Sequence, residues 1–301
     1  MRTITLEEAK SLQFSNASVA LGTFDGLHLG HIALINAAKK HRGDTIAFTF
    51  DALPIDLFQS HHKPMQLFTM QEKIEAFCKT EIDYLCAVHF DQSFADIDKH
   101  DFEKMLVETF SPVNVIAGYN YTFGSHAEGT ADMLQKDGAK LGYNAQVIPK
   151  VLVDGIPVSS TKIRKCLWDG QIETANKLLG YSYSMSGVVV HGKGIGKTLG
   201  FPTANLRVAK EKIVPKNGVF SASVTVGSRT FDGVCSVGVN PTIELHAHRS
   251  IETHILDFDA DIYDEIITIA FKKRIRDEIR FESIEQLKKQ ITIDVEQAKN
   301  L

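Results

Sequence analysis

The feature that most constrains the fold is a change of texture near Gly180–Ser186. Ahead of it, short apolar runs alternate with stretches of helical spacing. "ASVALGTFDG" reads as a buried strand ending in a glycine turn, and "HIALINAAKKH" follows with helical periodicity. "DTIAFTF", "YLCAVHF", "VNVIAGYN" and "NAQVIPKV" continue the strands, while "MQEKIEAFCK", "KHDFEKMLVETF" and "GTADMLQKDGAKLG" continue the helices. Such alternation predicts βαβ units, hence an α/β domain with a parallel, Rossmann-like sheet and helices on both faces. "SSTKIRKCLWDG" and "IETANKLLG" add a helical stretch before the change. From Tyr183 onward "YSMSGVVVHG", "GVFSASVTVG", "RTFDGVCSVGV", "SIETHILDF" and "DEIITIAFKKRI" are short strands with Gly, Asn and Asp at the turns. That pattern predicts a small antiparallel β-barrel or sandwich. One C-terminal helix, "SIEQLKKQITIDVEQAK", closes it, with Ser283 and Gln286 spaced for a capping box. The expected domains are therefore residues 1–182 and 183–301, a division that a chain of 301 residues favours on size alone.

Composition removes several classes of function. A net charge of −4 argues against a general nucleic-acid binder or a polybasic membrane anchor. "MRTITLEEAK" carries charge where a signal peptide has an apolar core, and no apolar run approaches the ~20 residues of a membrane span. The expected location is cytoplasmic. Cys78, Cys86, Cys166 and Cys235 show no C-x-x-C pairing and read as reduced thiols, mostly buried.

Chemistry concentrates in a few strings. In "GTFDGLHLGH" a strand end, a glycine turn and a helix start succeed one another, with His28 and His31 three residues apart on one side of the incipient helix. A helix N-terminus offers free N–H groups and a positive dipole end, and two imidazoles there suit a phosphate chain whose charge grows during transfer. By themselves the pair also fits two surface histidines, or half of a zinc site lacking its remaining ligands. "VSSTKIR", Val158 to Arg164, offers hydroxyls and a guanidinium for phosphate oxygens, or merely a helix cap. "HGKGIGKTLGFPTAN", His191 to Asn205, has the look of a phosphate-cradling P-loop, but Gly192 and Gly196 enclose three residues where that loop has four. Thr203 and Asn205 alternate, so an extended segment turns both to one side, as oxygen ligands to a hard cation should be; a Gly-Pro turn is the plainer alternative. Glu252 in "SIETHILDF" alternates with Ile251 and Thr253 and faces away from the core; a solvated face would do the same.

In sequence order these strings resemble the bacterial bifunctional FAD synthetases, which pair an FMN adenylyltransferase with a riboflavin kinase. "FDGLHLGH" resembles the H-x-G-H signature of nucleotidyltransferases, "VSSTKIR" their later Ser/Thr/basic motif, and "GKTLGFPTAN" the flavokinase motif. "GYNYTFG", Gly118 to Gly124, "GVNPTI" and "IRDEIRFESIEQLKKQI" extend the match across nearly the whole chain. The resemblance implies that His28, His31 and Arg164 stabilise adenylyl transfer, with Gly22, Phe24, Asp25, Asn120, Ser159, Ser160 and Thr161 around ATP and FMN. In the kinase it implies a loop of Gly192, Gly194, Gly196 and Lys197 over ATP and Mg2+ on Thr203 and Asn205. Glu252 would accept the proton of the riboflavin hydroxyl, and Arg276, Glu278 and Phe281 would border the flavin. The implied partners are small molecules (ATP, riboflavin, FMN), with no nucleic acid or membrane, on a monomer or weak homo-oligomer. The chain departs from the pattern in three places. "FDALP" puts Leu53 where the family has histidine, the loop "GKGIGK" carries lysine for arginine, and Tyr263-Asp264 replaces a Tyr-Gly turn. The last two leave open an adenylyltransferase whose kinase domain is weak or serves as a flavin-binding module.

Overall fold

The computed structural model describes residues 1–53, 65–192, 194–239 and 249–300; the side chains of Ile195 and Val239 also fall outside that description. The chain divides into two compact units, Met1–Ser160 and Thr161–Leu301. This cut precedes the textural change because the helical stretch ahead of Gly180 is bonded to the barrel. Asn176 donates to the Phe271 carbonyl at 2.8 Å and accepts from the Tyr183 N–H at 2.7 Å.

In the first unit, β1 (Arg2–Ile4), β2 (Ser18–Leu21), β3 (Thr45–Phe50), β4 (Tyr84–Val88), β5 (Asn114–Gly118) and β6 (Asn144–Ile148) form one six-stranded sheet. The order is β1-β4-β3-β2-β5-β6, and every pairing is parallel. Strands β2 and β3 are buried at every residue, as the apolar runs of a covered parallel sheet require. The crossover helices are α1 (Leu29–Lys39), α2 (Met70–Cys78), α3 (Lys99–Phe110) and α4 (Ala131–Leu141). Their ends follow side-chain chemistry: Thr69 caps α2 in a full capping box, Asp98 caps α3, and Gly142 ends α4 in the left-handed region. Strand β1 has only three residues, too few for periodicity to reveal it.

From β2 the chain builds β3 and β4 to one side, then crosses to place β5 on the other. The carboxyl ends of β2 and β5 therefore flank the topological switch point, the crevice where open parallel sheets bind ligands.

The second unit begins with α5 (Ser160–Asp169, whose first residue belongs to the preceding unit) and α6 (Ile172–Leu179). The barrel consists of β7 (Ser184–Val190), β8 (Ala204–Val208), β9 (Gly218–Val226), β10 (Arg229–Val239), β11 (Arg249–Ile255) and β12 (Ile266–Arg276). It closes in the order β7-β8-β11-β10-β9-β12 with every pair antiparallel, which removes exposed sheet edges. Helix α7 (Ile284–Lys299) follows. The expected capping box there is half formed: Ser283 accepts from Gln286 N, while the Gln286 side chain takes the N–H of Glu282 instead. Cys86, Cys166 and Cys235 are buried free thiols and Cys78 is exposed; burial pushes the Cys86 and Cys235 thiols up to about 12.

Candidate active sites

The first site lies at the switch point. The chain leaves β2 at Gly22 and turns through Phe24 and Leu27, both in the left-handed region (φ 48° and 35°) that bulky residues avoid. Strain of this kind persists only where surroundings over-determine it. Here they do. Asp25, 2% exposed, accepts from the N–H groups of Leu67 and Phe68 at 2.9–3.1 Å, and its own carbonyl accepts from Ser160 Oγ at 2.9 Å. The wholly buried Phe24 ring packs edge-on against Phe77 and against His31.

His28 is the N-cap of α1: its Nδ1 accepts from His31 N at 3.2 Å. In the neutral ring that bond leaves the proton on Nε2. The two imidazoles stack with centroids 3.6 Å apart at 11°. Gly30 leaves the His28 ring its room, since a Cβ there would stand 3.1 Å from His28 Cε1 and push the ring by a few tenths of an ångström. His31 Nδ1 is buried with no hydrogen-bond partner, and burial with the neighbouring His28 and Lys73 holds its pKa well below the usual histidine range. The structure thus brings Gly22, Phe24, Asp25, His28, His31 and Ser160 together, with Phe24 and Asp25 turned inward as supports. Asn120 is exposed on the turn after β5, across the switch point, and Ser159 is half-buried. Thr161 is exposed and Arg164 buried on α5, in the other unit.

The second site is set by barrel register. Asn205 on β8 pairs with Glu252 on β11, so both side chains leave the same face. Ile251 and Thr253 are buried at 2% and 0%, which turns Glu252 outward as the alternation predicts. Thr203 precedes β8 by one residue. The glycine loop lies directly on these groups: a Cβ at Gly192 would strike the Asn205 amide, and one at Gly196 would reach Thr203 Oγ1 at 3.3 Å and collide with the Phe201 carbonyl. The loop is not extended throughout. Ile195–Leu199 forms one helical turn between Gly194 (φ 71°) and Gly200 (φ 86°), and Lys197 in it is exposed.

Arg276 is held in a two-pronged ion pair with Asp294 of α7, at 2.7–3.1 Å, and lies over the Phe281 ring at 5.9 Å. Glu278 accepts from Asn217 at 2.9 Å. Asp264 sits at φ 64°, where the family's glycine would, and the adjoining Tyr263 ring lies 3.8 Å from that of His191 at the loop's start. Pro54 of "FDALP", Lys193 and the Asn240–Ile243 part of "GVNPTI" lie outside the described residues.

With both sites in view, similarity to known proteins becomes informative. Residues 10–162 match the family model described as FAD synthetase, and residues 179–301 the one described as riboflavin kinase. A Buchnera aphidicola (subsp. Schizaphis graminum) protein named bifunctional riboflavin kinase/FMN adenylyltransferase is 35% identical over 290 residues, covering 94% of this chain and 93% of that protein. A Listeria monocytogenes protein of the same name is 35% identical over 286 residues, covering 93% and 90%. This chain belongs to that family. Among solved structures, one titled as a macrolide-efflux protein of Streptococcus pneumoniae covers 100% of both chains with a TM-score of 0.90 at 29% identity. No helix among the described residues is long and apolar enough to cross a membrane.

Three groups escaped sequence reasoning. The family's histidine after the third strand is Leu53 here, 7% exposed. A histidine nonetheless reaches Asp51 from the end of β4: His89 Nδ1 lies 2.7 Å from Asp51 Oδ2, and that bond raises the His89 pKa. His254 Nδ1 binds the Pro202 carbonyl at 2.8 Å and its ring packs on Phe201, steadying the Pro-Thr-Ala-Asn turn. Lys73 is buried on α2; its signal was a lysine four residues from Phe77 on the helix's apolar stripe.

Proposed function

We infer that this chain carries out two consecutive steps of FAD biosynthesis, phosphorylation of riboflavin to FMN and adenylylation of FMN to FAD. The observation that carries the reading is the pairing of two phosphate-handling sites on two units, each in register with its own family match. Because relatives match along the whole length, two activities are favoured over an adenylyltransferase with a silent partner domain. ATP, riboflavin and FMN are the substrates. The functional division follows residues 1–182 and 183–301.

In the kinase we assign Glu252 to take the proton from the riboflavin 5′-hydroxyl as its oxygen attacks the γ-phosphate of ATP, releasing ADP. Its place opposite Asn205 supports this, since base and phosphate-end ligands then share one barrel face. Thr203 and Asn205 offer hydroxyl and amide oxygens, a donor set that fits Mg2+. Bound there, the ion would neutralise charge on the phosphate chain. Gly192, Gly194 and Gly196 let backbone close over ATP, Lys197 supplies a point charge, and Arg276, Glu278 and Phe281 border the flavin.

In the adenylyltransferase the FMN phosphate attacks the α-phosphorus of a second ATP, and pyrophosphate leaves. No base is needed, because the attacking phosphate is already ionised; position and electrostatics lower the barrier. We assign His28 Nε2–H, the unpartnered His31 Nδ1 and Arg164 to the developing charge on the phosphates. Gly22 allows backbone approach, Asn120, Ser159, Ser160 and Thr161 orient the nucleotides, and Phe24 and Asp25 hold the loop. Separating flavins after incubation with riboflavin and Mg-ATP, and again with FMN and Mg-ATP, tests both steps. FMN and FAD from the first and FAD from the second are expected; no FMN from riboflavin would remove the kinase.

A further inference from the structure

Helix α2 buries a cation on its packing face, beside Phe77. Lys73 is 5% exposed and lies one helical turn from Phe77, which packs on Phe24 at 5.3 Å; Phe24 packs in turn on His31 at 5.2 Å. Lys73 Nζ donates to the carbonyl oxygens of Phe50 (2.8 Å) and Thr23 (3.0 Å) and to Thr49 Oγ1 (3.3 Å). Thr49 Oγ1 also donates to the Thr23 carbonyl at 3.0 Å. Three hydrogen bonds use the ammonium's three protons, all on the carboxyl ends of β2 and β3 beside the switch point. These partners are neutral oxygens, so they solvate the charge without cancelling it.

The ionisable groups facing this lysine are Asp25 on the loop, Asp51 at the end of β3 and His31 at the start of α1. Both carboxylates are engaged elsewhere, Asp25 by backbone N–H groups and Asp51 by His89. Burial lowers the Lys73 pKa to about 8, against the pull of the two carboxylates. A buried ammonium whose direct hydrogen-bond partners are all neutral oxygens is costly to hold, which asks for a use.

We propose that Lys73 is a positioning residue of the adenylyl-transfer site, an internal cation that fixes the Thr23 carbonyl, and with it the Gly22–His28 loop, while holding positive potential behind His31. This rests on the adenylyltransferase reading of the first unit. An arriving triphosphate meets a field already in place, with no reorganisation at the moment of reaction.

The test uses the full chain with Lys73→Met, which removes the charge at similar length, and Lys73→Arg, which retains it. NMR titration of the His31 imidazole without substrate is the deciding measurement. The His31 midpoint should rise in Lys73→Met and stay near wild type in Lys73→Arg. With FMN and Mg-ATP, kcat for FAD should fall about 10- to 100-fold in Lys73→Met and recover in Lys73→Arg. A His31 midpoint unmoved in Lys73→Met overturns the proposal. Should Lys73→Met not fold, the pH profile decides instead. Wild-type kcat should fall above about pH 8 and Lys73→Arg should abolish the fall; an identical fall in both overturns the proposal. A wild type that makes no FAD would instead remove the function assigned to the site and leave the titration standing as the test of Lys73.

Discussion

The two sites hold their charge-handling groups by opposite means. In the parallel-sheet unit, His28 and His31 stand on a loop with left-handed Phe24 and Leu27, gripped by Asp25, Phe77 and Lys73 from elements far apart in sequence. In the barrel unit, Asn205 and Glu252 are set opposite each other by strand register, and Gly192 and Gly196 of the glycine loop lie close against Asn205 and Thr203. One site is preorganised by buried tertiary bonds, the other by pleat and closed barrel. The chemistry explains the difference. In the roles proposed above, adenylyl transfer from an ionised phosphate draws on fixed electrostatics, whereas the kinase adds a base, Glu252, and a glycine loop over ATP.

Five substitutions break or sharpen this contrast. Glu252→Gln should lower FMN formation from riboflavin about 10³- to 10⁴-fold and leave FAD formation from supplied FMN unchanged; comparable loss of both rates would mean that the units do not work separately. His28→Ala should do the reverse, lowering FAD formation about 10²- to 10³-fold with FMN formation intact, as measured by separating flavins over time. Asp294→Ala leaves Arg276 without its carboxylate in a half-buried setting and should cost about 3 kcal/mol, read from denaturant unfolding of the barrel unit. Gly192→Ala pushes the lid off Asn205 and should slow the kinase about tenfold with little effect on stability, which distinguishes a lid from a structural turn. Asp264→Gly relieves a left-handed residue at the expense of a freer unfolded chain, so the net change should stay below about 1 kcal/mol. A small shift in melting temperature would show it.

Much of this was legible in the sequence where periodicity governs. The outward turn of Glu252 follows from buried Ile251 and Thr253, and Lys99–Phe110 is a helix at the residues its spacing marks. What stayed hidden depends on contacts between distant segments. Nothing local in "QEKIEAF" says that Lys73 will meet the carbonyls of Thr23 and Phe50, and nothing in "FDALP" says that His89 will come to Asp51. Strand β1 was hidden by its length, and the helical turn Ile195–Leu199 by glycines that read as loop. The histidine pair was visible as a motif, but the crowding at Gly30 emerged only when the His28 ring was seen beside it, stacked on His31.

The most direct measurement follows both flavins in one reaction. Riboflavin and Mg-ATP are given to the full chain and to its His28→Ala variant, and riboflavin, FMN and FAD are resolved with time. Wild type should pass through FMN to FAD, and the variant should stop at FMN. FAD produced by the variant at the wild-type rate, or riboflavin left untouched by both, would contradict the assignment of two separate phosphate-handling pockets to one chain.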